Sequence, residues 1–163
     1  MGIETQREIA LDHAKALVAI HGRKLTDKRS KVMAVLLDAE KPLSAYGLTD
    51  LLNVVYEEHV IANSVYRILD WLVAENLAHR LDSINKFVAC QNQHCRNSHS
   101  FSIFIICKVC ETTSESYATQ SLQKELSQRI SDSMYSEIVP HLELRGVCGK
   151  CSLSHQKKEV RHA

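Results

Sequence analysis

Apolar residues recur at helical spacing through the first half of the chain and switch to strand-like spacing after residue 77. Residues 4–21 place Ile9 or Ala10, Leu11, Ala14, Leu17 and Val18 on one face, and Gly22 follows where a C′ stop belongs. Thr26 is a good N-cap for a second helix, which carries Val32, Val35, Leu36 and Ala39 at the same period. Pro42 and Ser44 mark the next break, and Ser44 can cap a short third helix that turns Leu48, Leu51 and Leu52 inward. Residues 53–62 read as a connection. Asn63 or Ser64 can then cap a fourth helix, in which Val65, Ile68, Leu69, Leu72 and Val73 form one buried stripe. That stripe leaves Ser64, Tyr66 and Arg67 on the exposed first turn. Asn76 is a plausible left-handed stop, and residues 77–81 and 86–90 form a hairpin around a four-residue loop.

Short helices followed by a hairpin are the order of a winged helix-turn-helix domain, whose last helix enters the major groove while the wing lies by the backbone. Arg67 is then the candidate for guanine O6 and N7, and Tyr46 for a thymine methyl or base edge. Ser64 and Tyr66 share the reading turn. A basic cluster of Arg23, Lys24, Lys28, Arg29 and Lys31 is opposed only by Asp27, which makes Lys28 and Arg29 candidates for phosphate contact. Residues 1–83 hold 10 basic and 12 acidic side chains. A DNA reading therefore rests on motif and not on bulk charge. The plainer alternative is a small helical domain with a solvated Arg67.

The second half alternates strand, helix and strand. Residues 101–106 and 142–147 are the strands, and Leu122, Leu126, Ile130, Met134 and Ile138 make a helix stripe that packs on one side of a small sheet. So small a sheet leaves an edge and an apolar face uncovered, so dimerisation is expected. The fold class is α+β: a winged helix-turn-helix domain over residues 1–90, an α/β dimerisation domain over 91–152, and a polar flexible tail over 153–163 with solvated His155 and His162.

Two pairs, Cys107-x2-Cys110 and Cys148-x2-Cys151, leave the ends of the two strands. Four thiolates at this spacing are what a closed structural Zn2+ site needs. The 37 residues between the pairs exceed a compact zinc ribbon, so a folded segment lies within them. Buried apolar cysteines, or a thiol redox switch, are the competing readings. Six cysteines without a secreted disulfide framework, no apolar run of about 18 residues and an acidic amphipathic start lead us to expect a soluble cytoplasmic protein with no membrane segment. The His-x-Glu with Pro-Cys-x2-Cys pattern of zinc deaminases is missing, and neither an enzyme nor a small organic substrate is expected.

Leu25-Thr26-x-x-Arg29, Ser64-Val65-Tyr66-Arg67-Ile68-Leu69, a wing ending at Cys90 and the two cysteine pairs, in this order, resemble the ferric uptake regulator family over most of the chain. Ser44-Ala45-Tyr46 and the stretch from His79 to Cys90 resemble its zinc uptake regulator branch, and a His-rich run before the first cysteine pair is missing. The resemblance implies a homodimeric, metal-dependent repressor on double-stranded DNA, whose two-fold symmetry asks for a pseudo-palindromic operator. It also implies a regulatory interdomain zinc site of His79, Cys90, His99 and Glu115, hence two Zn2+ per protomer. Imidazole, thiolate and carboxylate together suit zinc. A member sensing iron, manganese or peroxide is the alternative. His94 and Cys95 add ligand-capable groups between Cys90 and His99. Two departures bear on geometry. Ala62 and Asn63 replace the prolines common before the recognition helix, which leaves its entry angle open. Glu111 replaces glycine after the first cysteine pair, which alters the turn there.

Overall fold

The apolar stripes of the first half converge: Val18, Leu48, Val65, Leu69 and Leu72 are fully buried. The computed structural model describes residues 3–90, 101–131, 135 and 141–153, and the chain divides into two compact units. The first unit runs α1 (Ile3–Ala19), α2 (Asp27–Asp38), α3 (Ala45–Tyr56), α4 (Ala62–Ala74), β1 (Ala78–Leu81) and β2 (Lys86–Ala89). Each fully buried leucine contributes roughly 1.5–3 kcal/mol.

The helix ends explain where the sequence pattern succeeded. Gly22 takes φ +65° after α1, and Asn76 takes φ 55° after α4, where Leu77 N–H donates to Leu72 O at 2.8 Å. Ser44 Oγ accepts from Gly47 N–H at 3.1 Å and caps α3. Thr26 occupies the N-cap of α2 in extended conformation, but its side chain makes no capping bond.

The connection before α4 is shorter than expected, because α3 continues to Tyr56 and ends on Glu57 in the left-handed region. Asn53 stays in the helix and reaches across the turn: its Oδ1 accepts from Val60 N–H at 2.7 Å, and its Nδ2 donates to Val60 O at 3.2 Å. Neither Asn63 nor Ser64 caps α4. The helix starts two or three residues earlier, with Ile61 as N-cap and its carbonyl accepting from Ser64 N–H at 3.0 Å and Val65 N–H at 3.3 Å. The wing is an antiparallel hairpin in the register Ala78↔Ala89 to Leu81↔Lys86, with Asn85 at φ 50° in its loop. Leu43 pairs with Phe87 through two backbone hydrogen bonds of 3.0 and 2.8 Å, so the segment entering α3 is stitched to the wing.

The second unit contains β3 (Ser102–Cys107), β4 (Thr113–Tyr117), α5 (Gln120–Ser131) and β5 (Leu142–Gly146), with strand order β4-β3-β5. β4 is antiparallel and β5 parallel to the central β3. The β4 strand was not expected, since Thr-Ser-Glu-Ser-Tyr shows no apolar alternation; it forms by pairing with β3 along one edge. Phe104, Ile106, Cys107 and Ala118 are buried, whereas the register partners Ile105 and Leu144 stand about half exposed on the other face. Leu122, Leu126 and Ile130 are only half-buried, and no residue of α5 is buried, so the expected packing of this stripe on the sheet is not completed by the described residues. Met134 and Ile138 lie outside the described residues. Residues 149–153 form one helical turn, closed by Ser152 N–H donating to Cys148 O at 2.9 Å. That turn runs into the stretch assigned to the tail, whose His155 and His162 lie outside the described residues. No described helix is long and apolar enough to cross a membrane.

Candidate functional site

Strand pairing in the second unit brings the two cysteine pairs together. Cys107 ends β3 opposite Gly146 of the parallel β5, so the chain leaving β5 arrives at Cys107. The intervening turn closes with Glu111 N–H donating to Cys107 O at 2.8 Å and Cys107 N–H donating to Thr112 O at 3.0 Å. Glu111 adopts φ 62° at the position where glycine is usual, so the turn is kept and its strain carried by a non-glycine residue. The sulfurs of Cys107, Cys110, Cys148 and Cys151 all lie within 4.8 Å of one another, with Cys110 and Cys148 3.7 Å apart. Zinc–thiolate bonds of about 2.3 Å put the sulfurs of a tetrahedron about 3.8 Å apart, so the donor set fits Zn2+. All four are free thiols.

The local field supports thiolate at two of the four. Backbone N–H groups of Cys110, Cys148 and Val109 hold Cys107 down to about 6, with Cys148 N–H 3.3 Å from its sulfur. Thr112, whose hydroxyl oxygen lies 3.2 Å from Cys110 Sγ, lowers that thiol. Cys151 is pushed up to about 12, chiefly because its thiol proton is held in hydrogen bonds to Cys110 and Cys148. A divalent cation displaces that proton, which is how metal binding couples to thiol ionisation.

Of the remaining zinc-ligand candidates, His79 and Glu115 occupy strands and Cys90 directly follows one. On the wing, His79 pairs with Val88 and Cys90 N–H donates to Leu77 O at 2.9 Å, which puts His79 and Cys90 diagonally on one face of the hairpin. A ring nitrogen of His79 and Cys90 Sγ lie within 4.8 Å, both half-buried. Glu115 is on β4, opposite Phe104, and its Oε1 accepts from Ser102 Oγ at 2.8 Å. His99, His94 and Cys95 lie outside the described residues.

The reading turn of α4 is open, with Ser64 and Arg67 exposed. Tyr46, 66% exposed at the start of α3, meets the half-buried Tyr66 edge-to-face with ring centroids 6.2 Å apart. The basic cluster divides. Arg23 pairs with the buried Glu75, and Lys31 pairs with Glu58 at 2.5 Å and Asp27 at 3.0 Å, which raises the Lys31 pKa. Arg29 lies 3.8 Å over the Trp71 ring and donates to Lys24 O at 2.8 Å. Lys24 and Lys28 have no carboxylate partner among the described residues. Of the phosphate candidates, Lys28 is thus exposed and unengaged, while Arg29 is half-buried and committed to α4. The sequence reading missed Trp71; its being the chain's single tryptophan is the one signal that pointed to it.

No protein-family model matches the chain. The zinc uptake regulation protein of Escherichia coli (strain K12) is 26% identical over 150 residues, 91% of this chain and 84% of that protein. The structure of a zinc uptake regulator complexed with zinc and DNA shares the fold with a TM-score of 0.83 at 23% identity, covering 92% of this chain and 97% of that one. Holo XcZur aligns with a TM-score of 0.75 at 29% identity, over 88% of this chain and 96% of that one. Sequence likeness along nearly the whole length and a shared fold make this chain similar to zinc uptake regulators, and it carries a four-cysteine cluster of its own.

Proposed function

We propose that this chain is a zinc-responsive DNA-binding transcriptional repressor, a cytoplasmic homodimer whose affinity for a pseudo-palindromic operator is raised by Zn2+. The observation that carries this reading is one chain holding both a winged helix with an open Arg67 turn and a four-sulfur cluster at zinc spacing. Its relatives are transcription regulators, and no catalytic role is assigned. Arg67, Ser64, Tyr46 and Tyr66 face the bases and Lys28 the phosphates. The half-exposed Ile105 and Leu144, with the unfinished stripe of α5, supply apolar surface for a second protomer.

Each protomer takes two Zn2+. Cys107, Cys110, Cys148 and Cys151 hold the structural one, and His79, Cys90, His99 and Glu115 the regulatory one. Juxtaposition of an imidazole and a thiolate on the wing supports the second set and favours zinc over iron or manganese. His79 and Cys90 ride on the wing and Glu115 on the sheet, so holding one ion ties both to a single pose. Zinc and operator then favour the same conformation, and each must tighten the other's binding by the same factor. Shifting a dimer from mostly incompetent to mostly competent takes a preference of about 10^4, or roughly 5.5 kcal/mol. Several direct ligands can supply that, whereas one surface histidine cannot.

A DNA titration with zinc buffered across a range, on wild type and Cys90→Ser, tests the regulatory set. The variant should remain a folded dimer with its structural zinc and lose the zinc dependence of DNA binding. An unchanged zinc response would move sensing away from Cys90.

A further inference from the structure

We propose that Arg29 is a positioning residue for the recognition helix and not a phosphate ligand, and that the basic cluster splits into cations that pose α4 and cations that meet DNA. The inference deepens the DNA-binding reading above and rests on it. Its ground is the guanidinium of Arg29, 3.8 Å over the Trp71 indole and donating to Lys24 O at 2.8 Å. Trp71 lies one turn beyond Arg67 on α4, so the stack joins α2 to the reading helix just behind its base-reading residue. A cation over an indole face is held by the ring quadrupole, and the planar guanidinium matches that face as an ammonium does not.

The other engaged cations act on the same helix. Arg23 reaches Glu75, the buried residue that follows the last turn of α4. Lys31 holds Glu58 within the connection that leads into α4, and the Asn53 amide clamps Val60 in the same segment. These contacts do the work of the prolines that this chain lacks before α4: they fix the entry and roll of the helix. A small error in roll swings Arg67 off its base edge, because bidentate readout depends on direction as well as distance. Lys24 and Lys28 remain for the phosphate backbone, which supplies affinity without sequence information.

Charge-conserving substitution separates the two roles. A phosphate ligand changed from arginine to lysine keeps its charge and its share of counterion release, whereas a stacked positioning residue loses its geometry. The probe is a duplex enriched from random DNA by the zinc-loaded wild-type protein, compared with a scrambled duplex over a range of salt concentrations. Arg29→Lys and Trp71→Leu should each lower the preference for the enriched duplex by roughly tenfold and leave the salt slope unchanged. Trp71→Phe, which keeps a ring, should restore much of the preference, and Arg29→Lys should shift the emission of the single tryptophan. The double variant should be no worse than either single, as expected of partners in one interaction. Lys28→Ala should do the opposite, lowering the slope by about one and sparing the preference.

Thermal melting identifies any variant that is merely unfolded, and Trp71→Phe then decides. Wild-type preference in Arg29→Lys, or in Trp71→Leu, overturns the positioning role. A salt slope reduced in Arg29→Lys with its preference kept returns Arg29 to the phosphates. Failure of the wild type to enrich any duplex with zinc sinks the DNA reading itself, a distinct result.

Discussion

The two units of this chain solve the problem of stability differently. In the first, four helices and a hairpin bury a continuous apolar core, from Val18 and Leu48 through Leu69 and Leu72 to Phe87. In the second, among the described residues, only Phe104, Ile106, Cys107 and Ala118 are buried apolar positions, and α5 has none. A three-stranded sheet with so little interior is below what apolar burial alone sustains, and small domains of this kind rely on a metal or an oligomer. The difference suits the proposed roles. On the proposed reading, the winged helix stands on its own core, and the second unit depends on zinc and on a second protomer.

Removing a structural thiolate should break that comparison most visibly. Structural zinc contributes about 10–16 kcal/mol in small zinc domains, as much as the whole stability of an ordinary domain. Cys148→Ser should therefore release one zinc per protomer, abolish amide protection in β3 and β5, and dissociate the dimer. Protection in α4 and the wing should persist. Metal analysis with hydrogen exchange checks this, and unchanged protection in β3 and β5 would remove the metal from its structural role.

The converse perturbation is smaller and falls on the other unit. Leu69 is completely buried in α4, and truncation of such a leucine typically costs about 2–5 kcal/mol. Leu69→Ala should lower the melting transition of the winged helix and leave zinc at the four cysteines in place. Loss of that zinc in the variant would show the two units to be less independent than their cores indicate.

How much of this was legible in the sequence follows the same division. The first unit is written in local signals: apolar stripes at i, i+3, i+4, a capping Ser44, a stop at Gly22 and left-handed Asn76. Its misjudged part, the approach to α4, depends on the Asn53 side chain reaching Val60 across a turn, which no periodicity reports. The stack of Arg29 on Trp71 joins distant helices and was hidden for the same reason. In the second unit the cysteine pairs were legible because each pair is local, so their spacing alone suggested ligands. The β4 strand was not, since its residues become a strand only through hydrogen bonds to β3. The half-buried stripe of α5 shows periodicity correctly marking an apolar face, without saying which surface covers it.

The subtlest test of the contrast lies in the turn that runs from Cys107 through Cys110 to Glu111. Glu111 holds φ 62°, a conformation that costs a residue with a β-carbon roughly 1–2 kcal/mol. The turn keeps it because the backbone bonds Glu111 N–H to Cys107 O and Cys107 N–H to Thr112 O set the direction in which the first two sulfurs point. Glycine makes those same bonds without the steric cost, and gives back about 0.5–1 kcal/mol through its greater freedom in the unfolded chain. Glu111→Gly should therefore stabilise the second unit by a net of about 0.5–1 kcal/mol, with zinc content and the melting of the first unit unchanged. The gain should show as a higher chelator concentration needed to unfold the second unit, followed by hydrogen exchange in β3 and β5. A loss of stability instead would mean that contacts of the Glu111 side chain outweigh the strain of its backbone, and that this turn, unlike the glycine turns it replaces, is held from outside.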